Sequence, residues 1–333
     1  MSLPFSVQFI PVENISALEA DENVLAAIRY ASIASAENTE KPLFSVGLPN
    51  LALSNVVEVW YSDVAVKTSL IDGIQLSYND DILFGHLLLD ESEYEDIVAA
   101  SEHAYRLILD AINALDYPYI LRIWNYFSSI NDDQQGLERY KQFCLGRQQT
   151  LDSRGGFVYS PPAATAIGTS GGGLQVYFIA AREPGIQLEN PRQTSAFLYP
   201  PQYGVVSPAF SRATIKKWQN TTHLYISGTA SIVGHETRHI GQVEKQLEET
   251  LKNIEALVQH GAETQDLSIN TLTDLSYLKV YLRDLFMLSI TEELLIRRYG
   301  RNLPEVIFLQ GDVCREDLLV EIEAAYILNE VDA

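Results

Sequence analysis

"LPEVIFLQGDVCREDLLVEIEAAYIL", Leu303 to Leu328, reads as two extended segments around a polar link. "EVIFLQGDVC" is followed by "REDL" and then "LVEIEAAYIL", which predicts a strand pair joined by a tight turn. Strand alternation puts Leu318, Val320, Ile322 and Ala324 on one face, suited to packing on helices. Leu319, Glu321, Glu323 and Ala325 fall on the other. Two carboxylates side by side among small and apolar neighbours push one pKa upward. A carboxyl that keeps its proton near neutral pH can serve as a general acid. A solvated strand face would carry the same pair with no chemistry attached.

Working back from this ending, a repeat emerges. "HLYISGTASIV" reads as a strand, "GQVEKQLEETLKNIEALV" as a helix, "LSYLKVYLRD" as a strand, and "SITEELLIRRYG" as a helix closed by Gly300. The first half repeats the order with "DDILFGHLLLD", "ESEYEDIVAASEHAYRLILDAINAL", "YPYILRIWNYF" and "GLERYKQFCLGRQQ". Gly85 matches Gly228, and "YILRIW" matches "YLKVYL". Two α+β units are predicted, 1–150 and 151–333, with the break near "QTLDSRGG" at 149–156. "AATAIG" and "LQVYFIAARE" flank "TSGGG". No Lys-Ser/Thr follows these glycines and a strand comes next, so a hairpin turn is expected rather than a phosphate loop.

The 333 residues suffice for two domains with ample cores. No run of eighteen apolar residues suggests a membrane span. "MSLPFSVQFIPVEN" lacks a signal-type pattern, and Cys144 and Cys314 read as free thiols, so a cytoplasmic location is expected. The net charge is −21 with no basic stripe, which argues against nucleic acid. An anionic small molecule would need a local cluster of arginines to override that field.

His235-Glu236-Thr237-Arg238-His239 fits H-E-x-x-H, a zinc-peptidase signature that works only on a helix. Here it directly follows a strand, and helical patterning starts only near Gly241. Gln242 and Lys245 stand where an extended motif would place Gly and His. Arg238 sets a cation between the two histidines. No metal is expected.

Other segments are better placed for binding. "ENPRQTSAFLYPPQYGVVSPAFSRAT", 189–214, gathers Arg192, Tyr199, Tyr203 and Arg212 in a Pro-rich connection, and arginine forks suit carboxylates. In "YISGTAS", Gly228, Thr229 and Ala230 are small residues at a strand end. They suit close approach of a ligand or a β-bulge.

The ending, with its "EIEA" and the strand–helix–strand–helix order before it, resembles the RidA/YjgF family. More specifically, "NPRQTSAFLYPPQYG", "SPAFSRA", "ISGTASIVGHET" and "CREDLLVEIE" resemble the chorismatases, which include FkbO-type hydrolases and 3-hydroxybenzoate synthases. The motifs cover most of 150–330. The resemblance implies an α+β fold of two RidA/YjgF-like (chorismate mutase-like) domains, each a mixed sheet with helices on one face. The N-terminal domain would be degenerate and the C-terminal one catalytic.

The resemblance further implies that chorismate loses its enolpyruvyl group as pyruvate, without metal or organic cofactor. The ring would leave as 3-hydroxybenzoate, 4-hydroxybenzoate or a dihydroxycyclohexadiene carboxylate. Glu321 matches the family's catalytic glutamate. Cys314 resembles the hydroxybenzoate-forming pattern, whereas Ala230 stands where the strict 3-hydroxy subtype would carry glycine. Arg192, Arg212, Tyr199 and Tyr203, with Thr229, Ala230 and Arg283, are the expected substrate-binding residues. Thr194 is expected to line the ring pocket, and His235 and His239 to border it. "LPEVI" puts Val306 where single-domain RidA enzymes bind a carboxylate with arginine, which argues against imine deamination. A homotrimer and a monomer both fit.

Overall fold

The computed structural model describes residues 3–11, 15–52, 56–154, 161–269, 271–300 and 302–327. Ile97–Ala114 (α2) shows why the patterning works. Asp96 caps its start by accepting from the Ala99 amide, and Ile97, Ala100, Ala104, Ile108 and Ile112 form its buried stripe. This stripe lies on a sheet of Lys67–Ile71 (β6), Ile74–Tyr78 (β7), Ile82–Leu89 (β8), Tyr119–Ser128 (β9), Ala163–Thr169 (β12) and Leu174–Ala181 (β13), with the short Asp312–Val313 (β21) paired to the β12 edge. A small ribbon, Asp133–Gln134 (β10) with Leu137–Glu138 (β11), leads into Arg139–Arg154 (α3). A second sheet holds Ile186–Leu188 (β14), Ala213–Lys217 (β15), Thr222–Ala230 (β16), Tyr277–Leu282 (β19), Glu305–Gln310 (β20) and Val320–Tyr326 (β22). Val243–Gln265 (α4) and Leu288–Tyr299 (α5) cover it, and Gly300 closes α5 at φ 67°.

The two sheets have one topology. The orders β12-β9-β13-β8-β7-β6 and β20-β19-β22-β16-β15-β14 superpose strand for strand. The α+β class, the mixed sheets and the helices on one face are therefore as expected. The boundary is not. β12 and β13 pair with β9, so the first unit runs on to Ala181. Residue 150 lies inside α3, and 155–156 of the expected break fall outside the described residues.

Both expected hairpins are corrected in the same way. β12 and β13 flank β9 on opposite sides, and β20 and β22 flank β19. The strand entering from the preceding helix pairs in parallel, as a helical crossover allows. The chain then passes over the end of the central strand to pair antiparallel on its far side. Alternation along β22 holds from Val320 onward. Leu318 precedes the strand and joins Ala230, Ile232 and Val313, while Leu319 packs toward the helix side.

A third sheet was not foreseen. Ser6–Pro11 (β1), Val24–Tyr30 (β2), Ser35–Ala36 (β3), Leu43–Val46 (β4) and Val56–Tyr61 (β5) assemble in the order β1-β5-β2-β4-β3, with a short helix Ile15–Ala20 (α1). The three large sheets turn their helix-free faces onto one central core, where Trp60, Trp124, Tyr177, Tyr225 and Tyr281 meet. That core also holds charge. Lys279 Nζ lies 2.7 Å from Glu58 and 3.4 Å from Glu323, all essentially without solvent contact.

Candidate active site

The register of β16 against β22 slips between Ile226, opposite Ala324, and Thr229, opposite Ile322. The bulge turns Gly228 toward the central side of its sheet. Its counterpart Gly85 faces the helix side, against the ring of Phe178. A Cβ at Gly228 would stand 1.9 Å from Glu321 Oε1, so glycine here makes room for the carboxyl.

Glu321 and Glu323 occupy the same face of β22 and differ in every other respect. Glu323 accepts from Trp124 Nε1 at 2.7 Å, from Thr165 Oγ1 at 2.6 Å and from Arg122 at 2.8 Å. Burial alone would raise its pKa, but Arg122 and Lys279 outweigh that and hold it below the ordinary value. Among the described residues no group hydrogen-bonds the Glu321 carboxyl. Burial first, and then the neighbouring Glu323 charge, push it up to about 8, against the opposing pull of Arg122 and Arg212. One carboxylate is fixed as an anion, and the other keeps its proton at neutral pH.

Glu321 faces a cleft of about 560 Å³, open water at its mouth included. Tyr199, Tyr203, Arg212, Ala230 and Cys314 line it, as do Phe210 and Arg315. Arg212 is 3% exposed and donates to the Thr194 carbonyl and the Tyr199 hydroxyl at 2.7 and 2.8 Å. The Arg315 guanidinium stacks on Tyr203, 4.1 Å from the ring centre, and donates to the His235 carbonyl at 2.9 Å. Burial, followed by the Glu321 charge, pushes the Cys314 thiol up, so it stays a thiol and not a nucleophilic thiolate.

Several expected residues stand elsewhere. Arg192 turns to α4, where it pairs with Glu249 and donates to Asn253 at 2.5 Å. Arg283 ties down the 312–318 link through Asp312 at 2.7 Å and the carbonyls of Val313, Arg315 and Leu318. Thr229 is buried, its hydroxyl donating to Ser227. Thr194 meets the site through its carbonyl, which accepts from Arg212.

The H-E-x-x-H string forms a hairpin, Ile232–Val233 (β17) with Glu236–Thr237 (β18), and α4 begins only at Val243. Its two histidines share no helical face. His235 Nδ1 meets the Tyr203 hydroxyl at 3.1 Å beside the cleft, whereas His239 points to Glu249 at 3.4 Å. Among the described residues no group of three His, Cys, Asp or Glu could hold a metal ion.

The unit taken as degenerate supplies part of the wall. Glu138, Tyr140 and Lys141 line the mouth, and Asn125, Arg147 and Thr165 line a deeper lobe that shares Glu321 and Cys314. Arg315 and Gly228 complete the set. Of these, Gly228 in "YISGTAS" and Arg315, adjacent to Cys314, had a signal in the motifs.

Over 97% of its length this chain is 36% identical to a chorismatase of Streptomyces rapamycinicus, 99% of which is covered. The chain belongs to the chorismatase family. A 3-hydroxybenzoate synthase of Streptomyces hygroscopicus is 33% identical, with 90% of this chain and 91% of that one covered. A chorismatase crystal structure shares 32% identity and superposes with a TM-score of 0.87 over 98% of this chain and 99% of that one. The family model for the chorismatase FkbO/Hyg5-like N-terminal region matches residues 58–180. That span is close to the β6–β13 unit, which gives the chorismatase frame the same boundary as the sheet pairing.

Proposed function

We propose that this chain cleaves chorismate to pyruvate and a hydroxybenzoate, with 3-hydroxybenzoate favoured. The observation that carries the reading is the protonated Glu321 carboxyl beside the anionic Glu323, at the wall of an arginine-bearing cleft. Chorismate is a dianion, and a chain of net charge −21 needs Arg212 and Arg315 to receive it. Glu321 would donate its proton to the terminal methylene carbon of the enolpyruvyl vinyl ether. The oxocarbenium-like carbon that results is stabilised by the carboxylates around it. Water or a ring oxygen captures it, the ether bond to the ring breaks, and the former enolpyruvyl unit leaves as pyruvate. After capture by water, the proton released returns to the Glu321 carboxylate and elimination of one water from the ring gives the aromatic product; after capture by a ring oxygen, that oxygen leaves within pyruvate, a ring proton is lost and no water is exchanged. Capture by water consumes one molecule and aromatisation releases one, so the sum is redox-neutral.

Cys314 and Ala230 face the same cleft and would set the product. The Ala230 methyl favours a second reading, in which the ring leaves as a dihydroxycyclohexadiene carboxylate or as 4-hydroxybenzoate. A monomer in the cytoplasm is part of the proposal. It is supported by a central core filled within one chain and by two free thiols. Mixing the chain with chorismate, following pyruvate release and separating the ring products by chromatography tests the whole reading. Chorismate that binds without releasing pyruvate would leave only a binding protein.

A further inference from the structure

The link between β20 and β22 brings Cys314, Arg315 and Leu318 to the cleft wall beside Glu321. It has little regular structure of its own. Asp312–Val313 pairs with Gly168 and Ile167 of β12, and one turn closes from the Leu318 amide onto the Arg315 carbonyl at 3.0 Å. Its shape comes from side chains that reach into it.

Arg283, the residue after β19, is the first of these. Its Nε donates to the Leu318 carbonyl at 3.0 Å. One amino group donates to Asp312 Oδ1 at 2.7 Å and to Asn131 Oδ1 at 3.2 Å. The other donates to the carbonyls of Val313 and Arg315, both at 3.1 Å. That spends every N–H of the guanidinium, so Arg283 has none left for a substrate carboxylate. Three carbonyls of one short link converge on a planar fork, which a lysine ammonium could not serve from a single point. The Asp312 carboxylate is 46% exposed, so the ion pair adds little and the carbonyl bonds set the shape. Asn131 follows β9 in the other unit, and the same fork thus registers the link against that unit.

Gln246 of α4 is the second clamp. Its buried amide donates to the Asp317 carbonyl and accepts from the Leu319 amide, both at 2.8 Å. Arg315 carries the shape outward by donating to the His235 carbonyl at 2.9 Å, in the hairpin that holds the H-E-x-x-H string.

We propose that Arg283 is a positioning residue. By shaping the 312–318 link it sets Cys314 and Arg315 at their places against Glu321 and keeps water from entering on that side. The inference rests on the chorismate reading above and concerns a residue that does not touch the substrate. A displacement of about 1 Å in such a wall is enough to misalign a reacting group.

Arg283→Met and Arg283→Lys test it, with Arg192→Met as a variant destabilised away from the link. A Cys144→Ala background leaves Cys314 as the single thiol of the chain. In ligand-free R283M, Cys314 reacts with an aromatic disulfide reagent about 10-fold faster or more, because the link opens locally. Its KM for chorismate rises about 10-fold as Arg315 shifts. Where the parent makes 3-hydroxybenzoate, the share of dihydroxycyclohexadiene carboxylate grows, since water reaches the site. R283K recovers most of the melting temperature and keeps the fast thiol and the raised KM. R192M melts lower than the parent with both readouts parental.

An R283M protein whose thiol rate and KM lie within twofold of the parent overturns the proposal. So does R283K with both values restored, which also decides the matter if R283M fails to fold. Equal acceleration of the thiol in R192M overturns it as well, because general loosening would then account for the effect. A parent that releases no pyruvate overturns the chorismate reading, whereas the thiol rates, measured without substrate, still decide whether Arg283 holds the link.

Discussion

The Glu321 carboxyl lies in the space that a side chain at Gly228 would fill, 1.9 Å from where its Cβ would stand. The atom in the way is the tip of a flexible side chain rather than backbone, so Gly228→Ala spares the fold and displaces the acid. G228A is expected to lower kcat/KM by about 100-fold or more, within the range of a misplaced general acid. Its melting temperature should fall by a few degrees at most. Steady-state kinetics with thermal denaturation of the same samples checks both parts.

Glu321 acts only while protonated, so its pKa near 8 sets an alkaline limit. Activity is expected to hold through neutrality and to fall as pH rises through about 8. Stability follows the same group. Its folded pKa lies above the ordinary carboxyl value, so between that value and about 8 the folded chain holds a proton that the unfolded chain has released. Its stabilising contribution is complete below the unfolded pKa and lost as pH rises through the folded one. Glu321→Gln should abolish turnover, retain chorismate binding and flatten this slope in a series of melting curves against pH. An active E321Q protein would remove Glu321 from its role.

Lys279 bridges Glu58 of the N-terminal sheet and Glu323 beside the acid. Lys279→Met leaves both carboxylates short of a buried counter-charge and should cost about 3–5 kcal/mol of stability. Adding Glu58→Gln should recover part of that loss, which denaturant unfolding of the double-mutant cycle would measure. In any K279M sample that folds, Glu323 is less firmly ionised, so the alkaline limb of activity should move to lower pH.

Arg192 and Arg315 exchange the roles that their settings in the sequence suggest. Arg192→Met should keep KM within about twofold and lower stability, because it serves Glu249 and Asn253. Arg315→Met should raise KM by about tenfold or more, through loss of a charge-assisted contact in the cleft. Parallel kinetics and melting curves separate the two.

The H-E-x-x-H string predicts metal dependence and its hairpin setting does not. Activity should survive exhaustive chelation, and elemental analysis should find no stoichiometric zinc. His239→Ala should leave kcat unchanged, whereas His235→Ala, which removes a partner of Tyr203, should raise KM by a few-fold.

The sequence by itself determined whatever depends on near neighbours along the chain. Amphipathic helices, strand alternation through Val320–Tyr326, and the side-by-side placement of Glu321 and Glu323 all follow from periods of 3.6 and 2 residues. So did the family, because motifs such as "CREDLLVEIE" are contiguous. Tertiary structure decided whatever depends on pairing across the chain. Both expected hairpins failed because β9 and β19 each slip between two sequence-adjacent strands, and alternation carries no information about partners. The unit boundary moved to Ala181 for the same reason. The protonation states of the two glutamates, alike in sequence, were divided by Arg122 and Thr165, which lie about 150 to 200 positions away in the other unit. Arg192 looked like a substrate ligand, but the fold set it beside Glu249 and Asn253 on α4. The role of an arginine is set by which anions the fold leaves within its reach.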